Sequence, residues 1–248
     1  MVIHTEGEPG APAVLLLHPM LFSGEQMAAG LGRRLPGSHY LIFPDQSGHG
    51  EDQGEFVSPE QEALELHRWL TGQGIEEIRL LCAASLGGVT AMELMKLGGL
   101  RYHAVHMDGV PLGKQDGIQS QLALTGFLRI HKKAQKDPSS AVGMISRLYG
   151  EKLGKTMAQQ LGDLSQDSVR RILKACLSGC AVPLDEERVG RLTFEWGEKD
   201  PSLGKAKPVA EKLYPRARIL IRPGLNHCEY LGRKPGAYAK ELVPELEE

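Results

Sequence analysis

The first candidate for chemistry is a serine, Ser85, which lies between a short apolar run and a segment of helical character. Its neighbours in the sequence CAASLGG are small: Ala83 precedes it, and Gly87 and Gly88 follow it. A serine on such a strand-to-helix turn can present its hydroxyl above a sheet edge, with the N–H of Leu86 directed toward it from a helix N-terminus. The pattern is A-x-S-x-G-G, however, and it is also compatible with a small residue at a packed corner. A nucleophilic role therefore requires a base and an acid elsewhere in the chain.

A histidine and an aspartate stand where such partners are required. His227 follows the apolar run at residues 218–222, and Asp200 follows the run at residues 191–196. The carboxyl ends of parallel strands share one edge of a sheet, and such sheets present their sites there. The chain order serine, aspartate, histidine is that of hydrolases with a nucleophile elbow. We therefore take Ser85, Asp200 and His227 as candidates for nucleophile, orienting acid and general base.

Other interpretations of the acid and the base stay open at this point. Asp200 precedes Pro201 and Ser202 at a predicted helix start, so it could serve as an N-cap. Asp108, at the end of the apolar run 102–107, is a competing candidate for the acid. His227 could be a buried structural histidine.

The elements that would position these residues alternate along the chain. Short apolar runs predict strands, and amphipathic segments with caps predict helices. The predicted strands are residues 13–17, 40–43, 78–82, 102–107, 191–196 and 218–222. The predicted helices are residues 59–70, 86–97, 118–131, 137–150, 151–162, 165–178, 202–214 and 235–246, with one more containing Leu31 and Leu35. This order indicates an α/β fold, with a mostly parallel sheet covered by helices on both faces.

A helical insert interrupts the predicted α/β domain. Residues 116–188 contain amphipathic helical pieces and no convincing strand. We predict a core domain of residues 1–113 and 190–248 and a helical cap, or lid, of residues 114–189. The cap contains aliphatic residues that suit an apolar acyl or alcohol group, or that form its own core: Leu122, Leu128, Ile145, Leu148, Met157 and Ile172.

Taken together, the motifs resemble those of the α/β-hydrolase superfamily in its small, capped form. The resemblance extends over nearly the whole chain. Its segments are HPM after the first strand, FPDQSGHG at residues 43–50, the serine turn, the helical insert, WGEKD, PGLNH and the final helical tail. The superfamily implies that Ser85 is the nucleophile, that His227 acts as base and then as acid, and that Asp200 orients His227.

The resemblance also implies an oxyanion hole made of two backbone N–H groups. One would belong to Leu86, and the other to the turn after the first strand. Relatives usually have His-Gly in that turn, whereas this chain has His18–Pro19. Proline has no N–H, so we assign the second donor to Met20.

Residues beside this turn are candidates for the substrate pocket. His18 either braces the oxyanion turn or contacts the substrate. Leu21 and Phe22 either pack the loop or line the acyl pocket. His49 and Asp45, in the DQSGHG turn, are expected to be structural.

No metal site is expected from the sequence. His103 and His106 are three residues apart on one predicted strand, so they point to opposite faces. The four cysteines lack the paired spacing of a zinc site, and we predict that they are reduced thiols: Cys82, Cys176, Cys180 and Cys228.

Composition and the first residues narrow the classes of protein. The 248-residue chain carries a net charge of −2, so no basic face for nucleic acid is expected. The sequence MVIHTEGEPG lacks the basic and apolar regions of a secretory signal, and no apolar run is long enough to span a bilayer. We therefore expect a cytoplasmic protein that acts on a small molecule.

The expected activity is hydrolysis of a small carboxylic ester through an acyl-enzyme, with no metal, nucleotide or organic cofactor. Capped relatives also cleave carbon–carbon bonds, lactones or amides with the same triad, and the fold does not choose among these reactions. A third possibility is a protein of this fold that binds a ligand without turnover.

Overall fold

The computed structural model describes residues 1–185, 187 and 189–246. Seven strands form one sheet in the described part of the chain: β1 (Thr5–Glu6), β2 (Ala13–Leu17), β3 (Tyr40–Ile42), β4 (Glu77–Ala84), β5 (Arg101–Asp108), β6 (Val189–Gly197) and β7 (Arg218–Arg222). Their order is β1-β3-β2-β4-β5-β6-β7. Only the pairing of β1 with β3 is antiparallel. All six predicted strands are present, and β1 was not predicted because two residues carry no periodic signal.

The strand register brings the candidate loops together. Leu17 in β2 lies beside Ala83 in β4, and Asp108 in β5 lies between Ala84 and Glu195 of its two neighbours. The segments that follow β2, β4, β5, β6 and β7 therefore emerge at one edge. This edge is the one at which parallel sheets place their sites.

Helices cover both faces of this sheet. They are α1 (Gly24–Gly30), α2 (Pro59–Gly72), α3 (Leu86–Leu97), α4 (Ile118–Ala134), α5 (Ser139–Tyr149), α6 (Glu151–Asp163), α7 (Gln166–Ser178), α8 (Leu203–Leu213), α9 (Glu229–Arg233) and α10 (Pro235–Leu242). Alternate residues of β2 enter different cores, Leu15 with α2 and α3, and Leu16 with α1 and α10. The predicted α/β architecture is confirmed.

Two helix predictions were wrong in their bounds. The helix expected to contain Leu31 and Leu35 is α1, which ends at Gly30. It starts early because Ser23 forms a capping box with Gln26, and a 3-10 turn over Gly32–Arg34 follows it. The last helix ends at Leu242 rather than at residue 246, and a 3-10 turn over Val243–Glu245 follows it.

The four helices α4 to α7 lie between β5 and β6, in the segment that the sequence assigns to a cap. Polar contacts attach them to the loop after β3. Glu55 Oε2 accepts hydrogen bonds from Ser165 Oγ (2.6 Å) and Ser168 Oγ (2.9 Å). Gln160 donates to Gly48 O at 3.0 Å. The division into two domains stays a prediction, and residues 186 and 188 within the predicted cap lie outside the described residues.

Every helix in the described part of the chain is too short or too polar to cross a bilayer. The four cysteines are free thiols.

Candidate active site

Ser85 lies on a sharp turn between β4, which ends at Ala84, and α3, which begins at Leu86. Its backbone has φ 48° and ψ −110°, a left-handed conformation that is strained for a residue with a β-carbon. The Ser85 N–H donates to Asp108 O at 2.8 Å, which helps to hold this conformation. A β-carbon at Gly87 would lie 2.3 Å from Leu17 O, so glycine is required there. Ala83 lies within β4, where its methyl group is fully buried.

Three side chains form a continuous hydrogen-bonded chain at this edge. Ser85 Oγ donates to His227 Nε2 across 2.8 Å, and His227 Nδ1 donates to Asp200 Oδ2 across 2.7 Å. The first distance suits proton transfer from the hydroxyl to the imidazole, and the second suits a charge-assisted hydrogen bond that orients the ring. Burial lowers the pKa of His227, but attraction to Asp200 and the hydrogen bond with it outweigh burial and raise the pKa above its ordinary value.

Asp200 is held as an ionised acceptor. Its other oxygen, Oδ1, accepts from Ser202 N (2.8 Å) and Ser202 Oγ (2.7 Å). Burial raises the pKa of Asp200, and His227 and Ser202 together lower it below its ordinary value. Ser202, not Asp200, is the N-cap of α8. The ionised carboxylate holds the His227 tautomer that leaves Nε2 free to accept a proton.

Asp108, the competing acid, is buried at the end of β5 and makes no hydrogen bond to His227 in the described structure. Its Oδ2 has no hydrogen-bond partner among the described residues. Burial and the nearby Glu195 carboxylate raise the pKa of Asp108 well above its ordinary value. This environment favours the neutral carboxyl group, which is a poor partner for an imidazolium.

In the turn after β2, the backbone N–H of Met20 has no hydrogen-bond partner among the described residues. Phe22 N donates to Pro19 O at 3.1 Å, and Leu21 has φ 72°, as in a type II turn with Met20 at the second position. Among the described residues, the N–H groups of Met20 and Leu86 donate to no protein acceptor. Two free amides therefore belong to the two turns that border Ser85.

His18 stabilises this turn through hydrogen bonds. It is fully buried; Gln46 N donates to His18 Nε2 (3.0 Å), so Nδ1 carries the proton and donates to Pro19 O (2.8 Å). Burial lowers the pKa of His18, which favours this neutral form. Gln46 Nε2 donates to His18 O, and Thr90 Oγ1 donates to Gln46 Oε1, which links the turn to α3. Both ring nitrogens are occupied within the protein, so His18 offers no polar atom to a substrate.

The apolar residues beside the site differ in part from those predicted. Leu21 and Phe22 are buried in the core shared with α1 and α10. Met20 is half-buried and packs against a small separate cluster made of Phe56, Leu86 and Ile172. Ile172 is one of the aliphatic residues that the sequence places in the predicted cap, whereas Phe56 lies in a loop and carries no local sequence signal for this role.

The turn-forming residues of FPDQSGHG have structural contacts. Asp45 accepts from Gly24 N (2.7 Å) and from Glu51 N (2.8 Å). The fully buried His49 ring lies 5.0 Å from the His18 ring, and burial lowers the pKa of His49 to about 3.

The two histidines of β5 lie apart. His103 is half-buried and contacts Glu77, whereas His106 is buried and contacts Glu195. No group of three or more possible ligand side chains in the described segments is arranged to hold a metal ion.

Gly109 provides the space in which His227 sits. It has φ 65°, and a β-carbon there would lie 2.8 Å from both His227 Cε1 and Cys228 Sγ. We expect Gly109→Ala to displace the imidazole and to lower kcat at least tenfold, besides a strain of about 1–2 kcal/mol. Gly74→Ala is the matched control, because Gly74 has φ 72° and no nearby atom within 4 Å in the described structure.

Thermal unfolding and turnover of the ester substrate expected from the sequence measure the two effects separately. Gly109→Ala should lose at least as much stability as Gly74→Ala, because the added β-carbon also displaces His227 and Cys228, and only Gly109→Ala should lose activity. Full activity in Gly109→Ala would contradict the placement of His227 against this glycine.

Structural comparison finds similar folds over nearly the whole chain. An α/β-hydrolase family protein from Desulfitobacterium hafniense is 20% identical, with TM-score 0.77 and coverage of 99% of this chain and 100% of its own. An esterase from Exiguobacterium antarcticum is 15% identical, with TM-score 0.78 and coverage of 99% and 96%. An N-acyl homoserine lactone degrading enzyme is 16% identical, with TM-score 0.69 and coverage of 98% and 96%. No protein-family model and no curated protein sequence matches the chain.

Proposed function

We propose that this chain, which has the α/β-hydrolase fold, is a serine hydrolase that cleaves small carboxylic esters. The observation that carries the proposal is the hydrogen-bonded chain from Ser85 through His227 to Asp200. A serine on a strained turn, an accepting imidazole nitrogen and an ionised buried carboxylate together make an activated nucleophile. Named esterases among the structural neighbours support the same reaction class.

The proposed mechanism uses only groups of the chain and water. Ser85 Oγ attacks the ester carbonyl while His227 Nε2 takes its proton, and the imidazolium is stabilised by Asp200. The N–H groups of Met20 and Leu86 stabilise the oxyanion. His227 then protonates the leaving alcohol, and a water molecule activated by His227 releases the acid and restores Ser85.

The surroundings of the triad favour an apolar group on the substrate. The half-buried Met20 packs with the fully buried Phe56 and Ile172 next to Leu86, so the side chain beside the proposed oxyanion donors is apolar. Lactone hydrolysis is a second candidate, because a lactone is a cyclic ester and one structural neighbour degrades N-acyl homoserine lactones. Cleavage of amides or of carbon–carbon bonds would use the same groups.

A substrate panel tests the reaction class. It should contain p-nitrophenyl esters of increasing acyl length, an N-acyl homoserine lactone, a p-nitroanilide and a β-diketone. We expect ester hydrolysis to be fastest and to be lost in Ser85→Ala. Absence of turnover on every ester and lactone would contradict the proposal and favour a protein that binds a ligand without chemistry.

The oxyanion assignment is tested by removing one amide. Met20→Pro deletes the N–H, and the turn accepts proline because Met20 occupies its second position. Since loss of one such donor costs about 10²–10³ in kcat, we expect a fall of that size on p-nitrophenyl acetate. Met20→Ala is the control, because it removes the side chain and keeps the amide. An equal loss in both variants would assign the effect to the side chain.

The dependence of kcat/KM on pH follows from the raised pKa of His227. Protonated imidazole cannot accept the Ser85 proton, so activity must fall as the pH drops through this pKa. We expect one acidic limb with its midpoint above 6.5, the ordinary value for histidine. The lowered pKa of Asp200 keeps its carboxylate ionised across this range. A midpoint below 6.5 would contradict the pairing of these two residues.

A further inference from the structure

A cap residue contacts the backbone of the proposed catalytic base. Tyr149, the last residue of α5, donates its hydroxyl to His227 O at 2.8 Å. No other described residue donates a hydrogen bond to this carbonyl. Burial raises the pKa of Tyr149, so the phenol remains a protonated donor. One side chain therefore joins the cap directly to the residue that moves the proton.

Residues of α9 pack against Tyr149 and bind the end of α5. A β-carbon at Gly232 in α9 would lie 2.8 Å from Tyr149 Cδ1, so the ring packs against a position that lacks a side chain. Arg233 donates to the carbonyl groups of Arg147 and Leu148 at the end of α5. Tyr149 of α5 thus contacts the backbone of His227, just before α9. In return, Arg233 of α9 contacts the backbone at the end of α5.

The backbone beside His227 needs such support. Cys228 has φ 49° and ψ 21°, an uncommon conformation for a residue other than glycine. Asn226, on the other side, is held by Glu229 through its N–H (2.9 Å) and its side-chain amide (2.8 Å). Between these two residues, the His227 carbonyl is held by Tyr149.

We propose that Tyr149 is a positioning residue that holds the His227 backbone, so that docking of the cap sets the alignment of the base with Ser85 and Asp200. The proposal rests on the proposed hydrolase function. It makes the cap part of the catalytic machinery, in addition to any role in forming the substrate pocket. A solely structural Tyr149 would affect stability and leave the titration of His227 unchanged.

The test compares Tyr149→Phe with Tyr214→Phe. The first change removes only the hydroxyl that faces His227. Tyr214 is the control, because its buried hydroxyl donates to Val182 O (2.6 Å) and accepts from Val182 N (3.1 Å), and neither contact involves Ser85, His227 or Asp200. Tyr149→Phe loses one hydrogen bond to the backbone and Tyr214→Phe loses two, so both should unfold at a lower temperature than the parent protein.

We expect Tyr149→Phe to lower kcat on p-nitrophenyl acetate about 3- to 10-fold with KM within about twofold, as for loss of one hydrogen bond. The midpoint of its acidic limb should move down toward 6.5, because a looser pairing with Asp200 raises the pKa of His227 less. Tyr214→Phe should match the parent protein in kcat and in midpoint. Equal losses in the two variants, or an unchanged midpoint in Tyr149→Phe, would overturn the proposal.

A second readout separates this proposal from the hydrolase assignment. The titration of His227 can be followed by NMR of its ring Cε1 proton, which requires no substrate. If the protein hydrolyses no ester, the positioning contact is still supported by a His227 pKa that is lower in Tyr149→Phe than in the parent protein and is unchanged in Tyr214→Phe. If esters are hydrolysed and the pKa is the same in all three proteins, the positioning role fails and the hydrolase assignment stands.

Discussion

Replacing Ser85 with alanine is expected to reduce kcat on a short p-nitrophenyl ester by about 10⁵- to 10⁶-fold. The change removes the atom that we propose attacks the carbonyl, so the proposed acylation step could not proceed. The fold should be unaffected, because alanine retains the β-carbon and the hydroxyl bonds only to His227 among the described residues. Stopped-assay turnover and thermal unfolding of the purified variant provide the measurement.

Ser178→Ala is a suitable control for this experiment. Ser178 is exposed at the end of α7, and its hydroxyl donates to Lys174 O at 2.8 Å, so its loss should leave turnover unchanged. Activity that survives in Ser85→Ala would assign the chemistry to another nucleophile. The neighbouring thiol of Cys228 is a poor substitute, because burial raises its pKa well above the ordinary value.

Asp200→Asn should lower kcat by about 10⁴-fold. An amide at this position keeps the shape of the side chain, but it no longer provides a charged acceptor for His227 Nδ1. The imidazole would then favour the tautomer with its proton on Nε2, which cannot accept from Ser85. The measurement is kcat at a pH above the acidic limb, with the unfolding temperature recorded in parallel.

Asp108→Asn distinguishes the two candidate acids. It makes the same change in side-chain shape as the Asp200 variant, but little charge is lost, because burial and Glu195 favour the neutral form of Asp108, whose pKa they raise. The Oδ2 of Asp108 also has no hydrogen-bond partner in the described structure. We expect its kcat to stay within a few-fold of the parent protein. A loss of about 10⁴-fold in Asp108→Asn, with Asp200→Asn nearly normal, would transfer the role of the acid to β5.

The sequence predicts most of the elements that hold this site. The bounds of α3 and β7 agree with the prediction to the residue, because a glycine pair ends the first and a continuous apolar run defines the second. Ser85, Asp200 and His227 could be selected because each follows a predicted strand, and the parallel sheet then brings the strand ends to one edge. The α/β-hydrolase fold expected from the motifs is confirmed by the structural neighbours.

What the sequence does not predict comes mainly from tertiary contacts of the segment that contains α4 to α7. The hydrogen bond from Tyr149 to His227 joins residues 78 positions apart and has no periodic signal. Phe56 and Ile172 meet Met20 only after α7 packs against the loop beyond β3. The short helix α9 was missed because five residues are too few to show an amphipathic pattern.

Labelling with a fluorophosphonate probe tests the central claim most directly. The probe reacts covalently with an activated serine, and peptide mass spectrometry identifies the modified residue. We predict one adduct per chain, located on Ser85, which is absent in Ser85→Ala and forms slowly in Asp200→Asn. No adduct on the folded parent protein, or an adduct on a residue other than Ser85, would contradict the assignment of a serine nucleophile at the end of β4.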